Sequence, residues 1–193
     1  YNTNPFHQGY ALIHDISEDG EYKRDALIDI NGDFIIGFGQ ENKINSPYDL
    51  NNPGDFYADG RIRLIEKYYY GFKDLQNKIV IAPQYRNAYR FSENLAMVDD
   101  DGKCGFIDTD GIEQIPFEFE SAESFNEGLA AVQIGNKWGC IDKASEIIIP
   151  FGFDGLGSFH NGEIEFMIDN KWGIINRNME IIIEPKYDSI TPF

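Results

Sequence analysis

Basic residues are scarce in this chain. Its 193 residues hold 16 Lys and Arg against 33 Asp and Glu, a net charge of −17. Nucleic acid is bound by cations that neutralise phosphate, so it is not an expected partner. Cysteine is scarcer: Cys104 and Cys140 alone build neither a disulfide framework nor a four-ligand zinc site. Histidine occurs three times, as His7, His14 and His160. No apolar run approaches the roughly 18 residues of a spanning helix, so no membrane span is expected. Apolar side chains are well represented, with 42% hydrophobic and 15% aromatic residues. That is enough for a packed core and too much for a disordered chain.

The apolar residues recur at one interval. Tyr57, Phe91, Phe125, Phe159 and Phe193 stand 34 residues apart. Tyr70, Cys104, Trp138 and Trp172 keep the same step, each followed by glycine: Gly71, Gly105, Gly139 and Gly173. A third column holds Tyr85, Phe119, Phe153 and Tyr187, and a fourth holds Asp74, Asp108, Asp142 and Asn176. Self-similarity at a fixed period marks a repeat architecture. The units are 57–90, 91–124, 125–158 and 159–192, preceded by a longer, degenerate unit at 6–56 that opens FHQGYALI. Phe193 starts a sixth unit. All five units form a single β-repeat domain.

Within the unit 125–158, LAAVQI (129–134) reads as a strand, Gly135-Asn136 as a tight hairpin and KWGCID (137–142) as a second strand. Asp101-Gly102 and Asp169-Asn170 fill the hairpin position in neighbouring units. EIIIP (146–150) makes a third strand, whose three consecutive isoleucines predict cover on both faces. Glycine after the aromatic leaves room for close approach of a neighbouring backbone or ring. Each unit is thus a three-stranded antiparallel meander plus connector. One meander cannot bury both faces, so successive units must stack. The expected architecture is all-β, an open twisted superhelix of about five units. A closed propeller-like ring is the alternative, less favoured because a propeller blade usually has four strands. Helix is expected only as short turns near 86–92 and 121–127.

The strings FNEGLAAV, NKWGCIDK, IIIP and GFD resemble the WG-repeat family of bacterial proteins. The resemblance is close over 57–193 and weak over 6–56. Tyr70 and Cys104 depart from the signature tryptophan, and the first unit has Asp25-Ala26 in place of Trp-Gly. The resemblance implies an all-β repeat array. It brings no catalytic residue, no cofactor and no named ligand.

Several strings invite a functional reading. DDDGKCGFIDTDGIE (99–113) resembles a calcium loop, yet in the best register its eighth and twelfth positions are Glu113 and Phe117, not apolar and Glu. Asp108 and Asp110 are better read as turn formers. His7 and His160 share a column four units apart, far from a convergent metal set. Cys104 and Cys140 fall on the aromatic-bearing face and read as buried free thiols, with a disulfide between them the less favoured alternative. Carboxylates that recur every 34 residues, such as Asp59, Glu93 and Glu127, suit the turn of a unit better than a catalytic pair, whose members need distinct surroundings. The aromatic columns read as core in preference to a stacking ladder for sugars.

The insertions of the first unit break the pattern, and in repeat proteins insertions often lie on the binding face. The stretch 39–54 therefore supplies the candidate binding residues: Asn42, Asn45, Tyr48, Asn51 and Asn52. The composition points to a non-catalytic scaffold that engages a protein, of basic character, through an acidic surface. An acidic inhibitor or immunity-like protein is a sharper form of that reading. Carbohydrate or cell-envelope binding is the alternative, suggested by the Tyr and Asn content. An enzyme is the least expected class, since no nucleophile–base pair or phosphate loop stands out, and neither cofactor nor metal is expected. The first residue is Tyr1 and not Met, so localisation stays open between bacterial cytoplasm and export after signal removal.

Overall fold

A computed structural model describes residues 2–3, 9–16, 22–36 and 57–190. They form twenty strands and no helix. The first sheet comprises β1 (Asn2–Thr3), β2 (Tyr10–Ile16), β3 (Tyr22–Asp29) and β4 (Phe34–Ile36). The second comprises β5 (Tyr57–Ala58), β6 (Arg61–Glu66), β7 (Tyr69–Lys73) and β8 (Ile79–Tyr85). The third comprises β9 (Asn87–Ala88), β10 (Leu95–Asp100), β11 (Lys103–Asp108) and β12 (Glu113–Phe119). The fourth comprises β13 (Ser121–Ala122), β14 (Leu129–Ile134), β15 (Lys137–Asp142) and β16 (Ile147–Phe153). The fifth comprises β17 (Gly155–Leu156), β18 (Glu163–Ile168), β19 (Lys171–Asn176) and β20 (Ile181–Tyr187). Each sheet runs in chain order with two open edges, so none closes on itself. Two compact units divide the chain, Tyr1–Phe91 and Ser92–Phe193.

The three long strands of each meander are those expected from the repeat, and the connector adds a fourth, short one. Ser121 pairs with Gln133 and Ala122 with Val132. The short helical turns expected near 86–92 and 121–127 are absent, because β9 and β13 spend those residues on sheet hydrogen bonds. The two-residue hairpins are as the sequence predicts. Asp101 and Gly102 have φ of 53° and 84°, and Gly135 and Asn136 have 60° and 62°, the left-handed pair of a type I′ turn. In the second sheet the same turn is made by Lys67 and Tyr68, at φ 50° and 73°.

The third strand departs from expectation. Cys140 faces Ile149 while Ile141 faces Ile147, so Ile148 is an extra residue in a β-bulge. The same irregularity follows Phe106, Ile174 and Phe72 in the neighbouring sheets. The isoleucine run is consequently not covered on both faces. Ile149 is fully buried, but Ile147 is 58% exposed and Ile148 is exposed beside it. Ile181 and Ile182 repeat the pattern in the fifth sheet. The bulge lies on the outermost strand and turns its extra side chain to solvent.

Bulging also explains the glycine after the aromatic. The displaced third strand crosses over Gly139, and a Cβ there would lie 2.7 Å from the Ile149 carbonyl oxygen and 3.1 Å from the Phe151 ring. Gly71, Gly105 and Gly173 meet the equivalent carbonyl at 2.4, 2.8 and 2.5 Å.

Inside Ser92–Phe193 the sheets pack face on face. Leu95, Met97, Cys104, Phe106, Ile115 and Phe119 of the third sheet cover Ala130, Val132 and Ile141 of the fourth, with Phe125 between them. The next layer repeats this with Leu129, Ala131, Cys140 and Ile149 against Ile164, Phe166 and Ile175, closed by Phe159. Phe106 and Phe125 meet edge to face with ring centroids 4.9 Å apart, a favoured aromatic geometry. Within Tyr1–Phe91, Phe72 contacts Phe91 at 4.7 Å.

Candidate functional site

The repeated carboxylates are bound into the fold. Asp142 Oδ1 accepts hydrogen bonds from the N–H groups of Ala144 and Glu146, both at 2.9 Å. Asp108 does the same for Asp110 and Ile112 and takes a third bond from the Gln114 amide. Asn176 repeats it for Asn178 and Glu180, and Asp29 for Asn31 and Asp33. This column is therefore a turn-closing device. Partial desolvation pushes the Asp108 carboxyl up, but the N–H donors outweigh it and hold the group below the ordinary range. The residues of the calcium-like string thus fill their own turn. Among the described residues no group of three or more His, Cys, Asp or Glu converges as a metal site would require.

A second column joins neighbouring sheets. Both carboxylate oxygens of Glu93 accept from the Gly128 N–H, at 3.1 and 3.0 Å. Lys143 then reaches the Glu93 carboxylate and its carbonyl oxygen, each at 3.0 Å. One period later Glu127 accepts from the Gly162 N–H at 2.9 Å, and Arg177 donates to the Glu127 carboxylate at 3.1 Å. Arg177 also lies over the Phe159 ring, 5.2 Å from its centroid. Burial raises the Glu127 carboxyl, but Arg177 and the backbone N–H donors of Gly162 and Asn161 leave it below its usual range. These clasps use up the Glu93 and Glu127 carboxylates as structural ties.

A third set of ion pairs ties the hairpin end of the third, fourth and fifth sheets. Lys103 pairs with Glu120 at 3.6 Å and Lys137 with Asp154 at 2.5 Å; Lys171 pairs with Asp188. Position 69 and position 86 are the equivalents in the second sheet, and they hold Tyr69 and Arg86.

Cys104 and Cys140 are free and buried. They lie in separate core clusters, Cys104 in the first and Cys140 in the second. Burial pushes the Cys140 thiol up to about 12. The Cys104 thiol is raised first by burial and then by the Asp99 carboxylate. Thiolate is the reacting form, so an aromatic disulfide reagent at pH 8 should leave both thiols untouched in the native chain and titrate both in urea. Rapid reaction of either in the native state would contradict their placement.

The aromatic column Phe91, Phe125 and Phe159 is fully buried, which makes it core. His160 is exposed in a connector, with Nδ1 3.4 Å from the Asn126 amide. Asn42, Asn45, Tyr48, Asn51 and Asn52 lie outside the described residues, as does His7. A surface that the sequence reading missed is the isoleucine ladder, Ile147 and Ile148 with Ile181 and Ile182, each pair preceded by an exposed or half-exposed glutamate, Glu146 or Glu180. Large apolar side chains left exposed at the same position of successive units are a candidate interaction surface.

Comparison with known proteins gives a repeat family and distant structural likenesses. The sequence model of the WG containing repeat matches residues 70–104, 105–138, 138–172 and 172–193. No curated protein matches. Among solved structures, PorZ, described as an essential bacterial surface component of the type-IX secretion system of Porphyromonas gingivalis, is 12% identical with a TM-score of 0.43. That likeness covers 93% of this chain and 26% of the other. A eukaryotic initiation factor is 11% identical with a TM-score of 0.35, covering 90% and 63%. A plant lectin with two metal binding sites from Cicer arietinum is 12% identical with a TM-score of 0.29, covering 72% and 89%. This chain thus spans about a quarter of the first and under two thirds of the second.

Proposed function

From the premise that this chain belongs to the WG containing repeat family, we propose that it is a non-catalytic scaffold whose exposed surface engages a protein partner. The observation that carries this reading is the isoleucine ladder on the outer strands of the fourth and fifth sheets. Ile147 and Ile181 are more than half exposed, and they recur one period apart beside glutamates. Such a stripe offers apolar contact in an acidic frame. The repeated polar columns hold turns and neighbouring sheets together, so they build the platform and do not compete for the partner. A partner with a basic rim around an apolar patch fits this surface, because opposite charge speeds encounter and apolar contact holds the complex.

The test is affinity capture on the immobilised chain, eluted by a salt gradient, beside the Ile148→Lys/Ile182→Lys variant. A basic protein retained by the native chain and lost by the variant is the expected result. Equal retention by both, or none by either, would remove the ladder as the contact surface.

A further inference from the structure

Every proline of the described residues stands on one kind of strand. Pro83, Pro116, Pro150 and Pro185 lie in β8, β12, β16 and β20, one in each. These are the outermost long strands of the second to fifth sheets. An outermost strand presents backbone N–H and C=O groups that its own sheet leaves unpaired, a template for any extended chain.

The prolines do not keep one column. Pro116 and Pro150 stand one period apart, where β8 and β20 have Ala82 and Glu184. Pro83 and Pro185 take the next position, where β12 and β16 have Phe117 and Phe151. That next position crosses the conserved turn of the bulge over glycine. The Pro83 and Pro185 nitrogens lie 2.7 and 2.9 Å from where a Cβ on Gly71 or Gly173 would stand. The Phe117 and Phe151 rings lie 3.1 Å from the same point on Gly105 and Gly139. A proline demanded by the bulge would hold one of these columns. A proline that has only to interrupt an edge can take either. What stays constant is one proline per outer strand.

The edges that are apolar have most need of it. Ile147, Ile148, Ile181 and Ile182 are exposed on β16 and β20, and Ile79 on β8. Exposed β-branched runs on an open edge invite pairing between copies. In β12 the same places hold exposed Glu113 and Gln114. The opposite edge of each sheet is limited by length, since β5, β9, β13 and β17 have two residues each. Very short edge strands are another means of refusing a ladder.

We propose that these prolines bar strand addition: they stop the outer strands of one copy of this chain from pairing with those of a second. Proline gives an incoming strand no N–H, so the ladder fails where it stands. The isoleucines can then stay on the surface without joining copies edge to edge. This device is independent of whether the isoleucines meet a partner.

Light scattering of a concentrated solution, held well below each protein's measured melting temperature, is the test. The infrared band of intermolecular strands is the second readout. The native chain should stay clear. Pro150→Thr should lose most of its soluble protein to particles that show this band, while the fraction left in solution still melts cooperatively. Pro116→Thr should stay clear, because Glu113 and Gln114 remain on that edge. Ile148→Lys added to Pro150→Thr should restore solubility, since a charge on an edge strand opposes pairing while the proline is still missing. Pro150→Thr as soluble as the native chain overturns the proposal. So does equal aggregation of Pro116→Thr, or aggregation of Pro150→Thr that the lysine leaves intact. Either would trace the loss to weakened folding and not to an opened edge.

Discussion

Gly139→Ala should cost the Ser92–Phe193 unit about 3 kcal/mol, the upper range for forcing extra atoms into a close-packed site. The added methyl would meet the Ile149 carbonyl at 2.7 Å and the Phe151 ring at 3.1 Å. Ile149 is fully buried and paired with Cys140, so the strand cannot retreat without opening the core. For a domain of this size the melting temperature should fall by roughly 10 °C or more. Gly152→Ala is the internal comparison. It lies in the same strand pair, and a Cβ there meets nothing within 4 Å. Alanine at that position should be neutral or stabilising by up to about 1 kcal/mol, since glycine in a strand has more freedom to lose. Opposite signs at two glycines 13 residues apart would separate a packing requirement from mere strand propensity. Equal small effects would show that the bulged strand does not press on Gly139.

Phe125→Ala should be costlier still, about 3–5 kcal/mol, the range for emptying a buried phenylalanine site. Phe125 is 1% exposed and seated between the third and fourth sheets, edge to face with Phe106. Its loss removes contacts from two layers at once, and neither sheet can collapse into the gap while the Glu93 clasp holds the turns together. Urea unfolding should show a lower midpoint with an unchanged slope, the mark of lost stability without a change in exposed area. A loss below about 1 kcal/mol would be that of a surface site. Such a result would move Phe125 out of the core.

The spacing of Phe91, Phe125 and Phe159 and the Asp-Gly and Gly-Asn pairs made the period, the strands and the hairpins legible. These are local signals: turn chemistry and alternation act within a few residues. The bulge was not legible, because register is settled between strands and not within one. Ile147–Ile149 shows the difference. As a string it reads as a strand covered on both faces, yet the pairing of Ile141 with Ile147 and Cys140 with Ile149 turns two of its three side chains to water. The candidate surface inherits that blindness, since its key residues are the ones that composition assigns to the core. The acidic column at Glu93 and Glu127 was legible as structural, but its partners 35 and 50 residues away were not.

Those offsets have a consequence for how such a chain can change length. Glu93 uses Gly128 and Lys143, and Glu127 uses Gly162 and Arg177. Excise the unit 125–158, and Glu93 comes into step with Gly162 and Arg177, the same chemistry at the same offsets. The joint between units is thus written in transferable form, each unit carrying one half of the fastening at its front and the complementary half further along. A gene that gains or loses one whole period keeps every fastening matched, whereas a slip of a single codon shifts each fastening that spans it out of step.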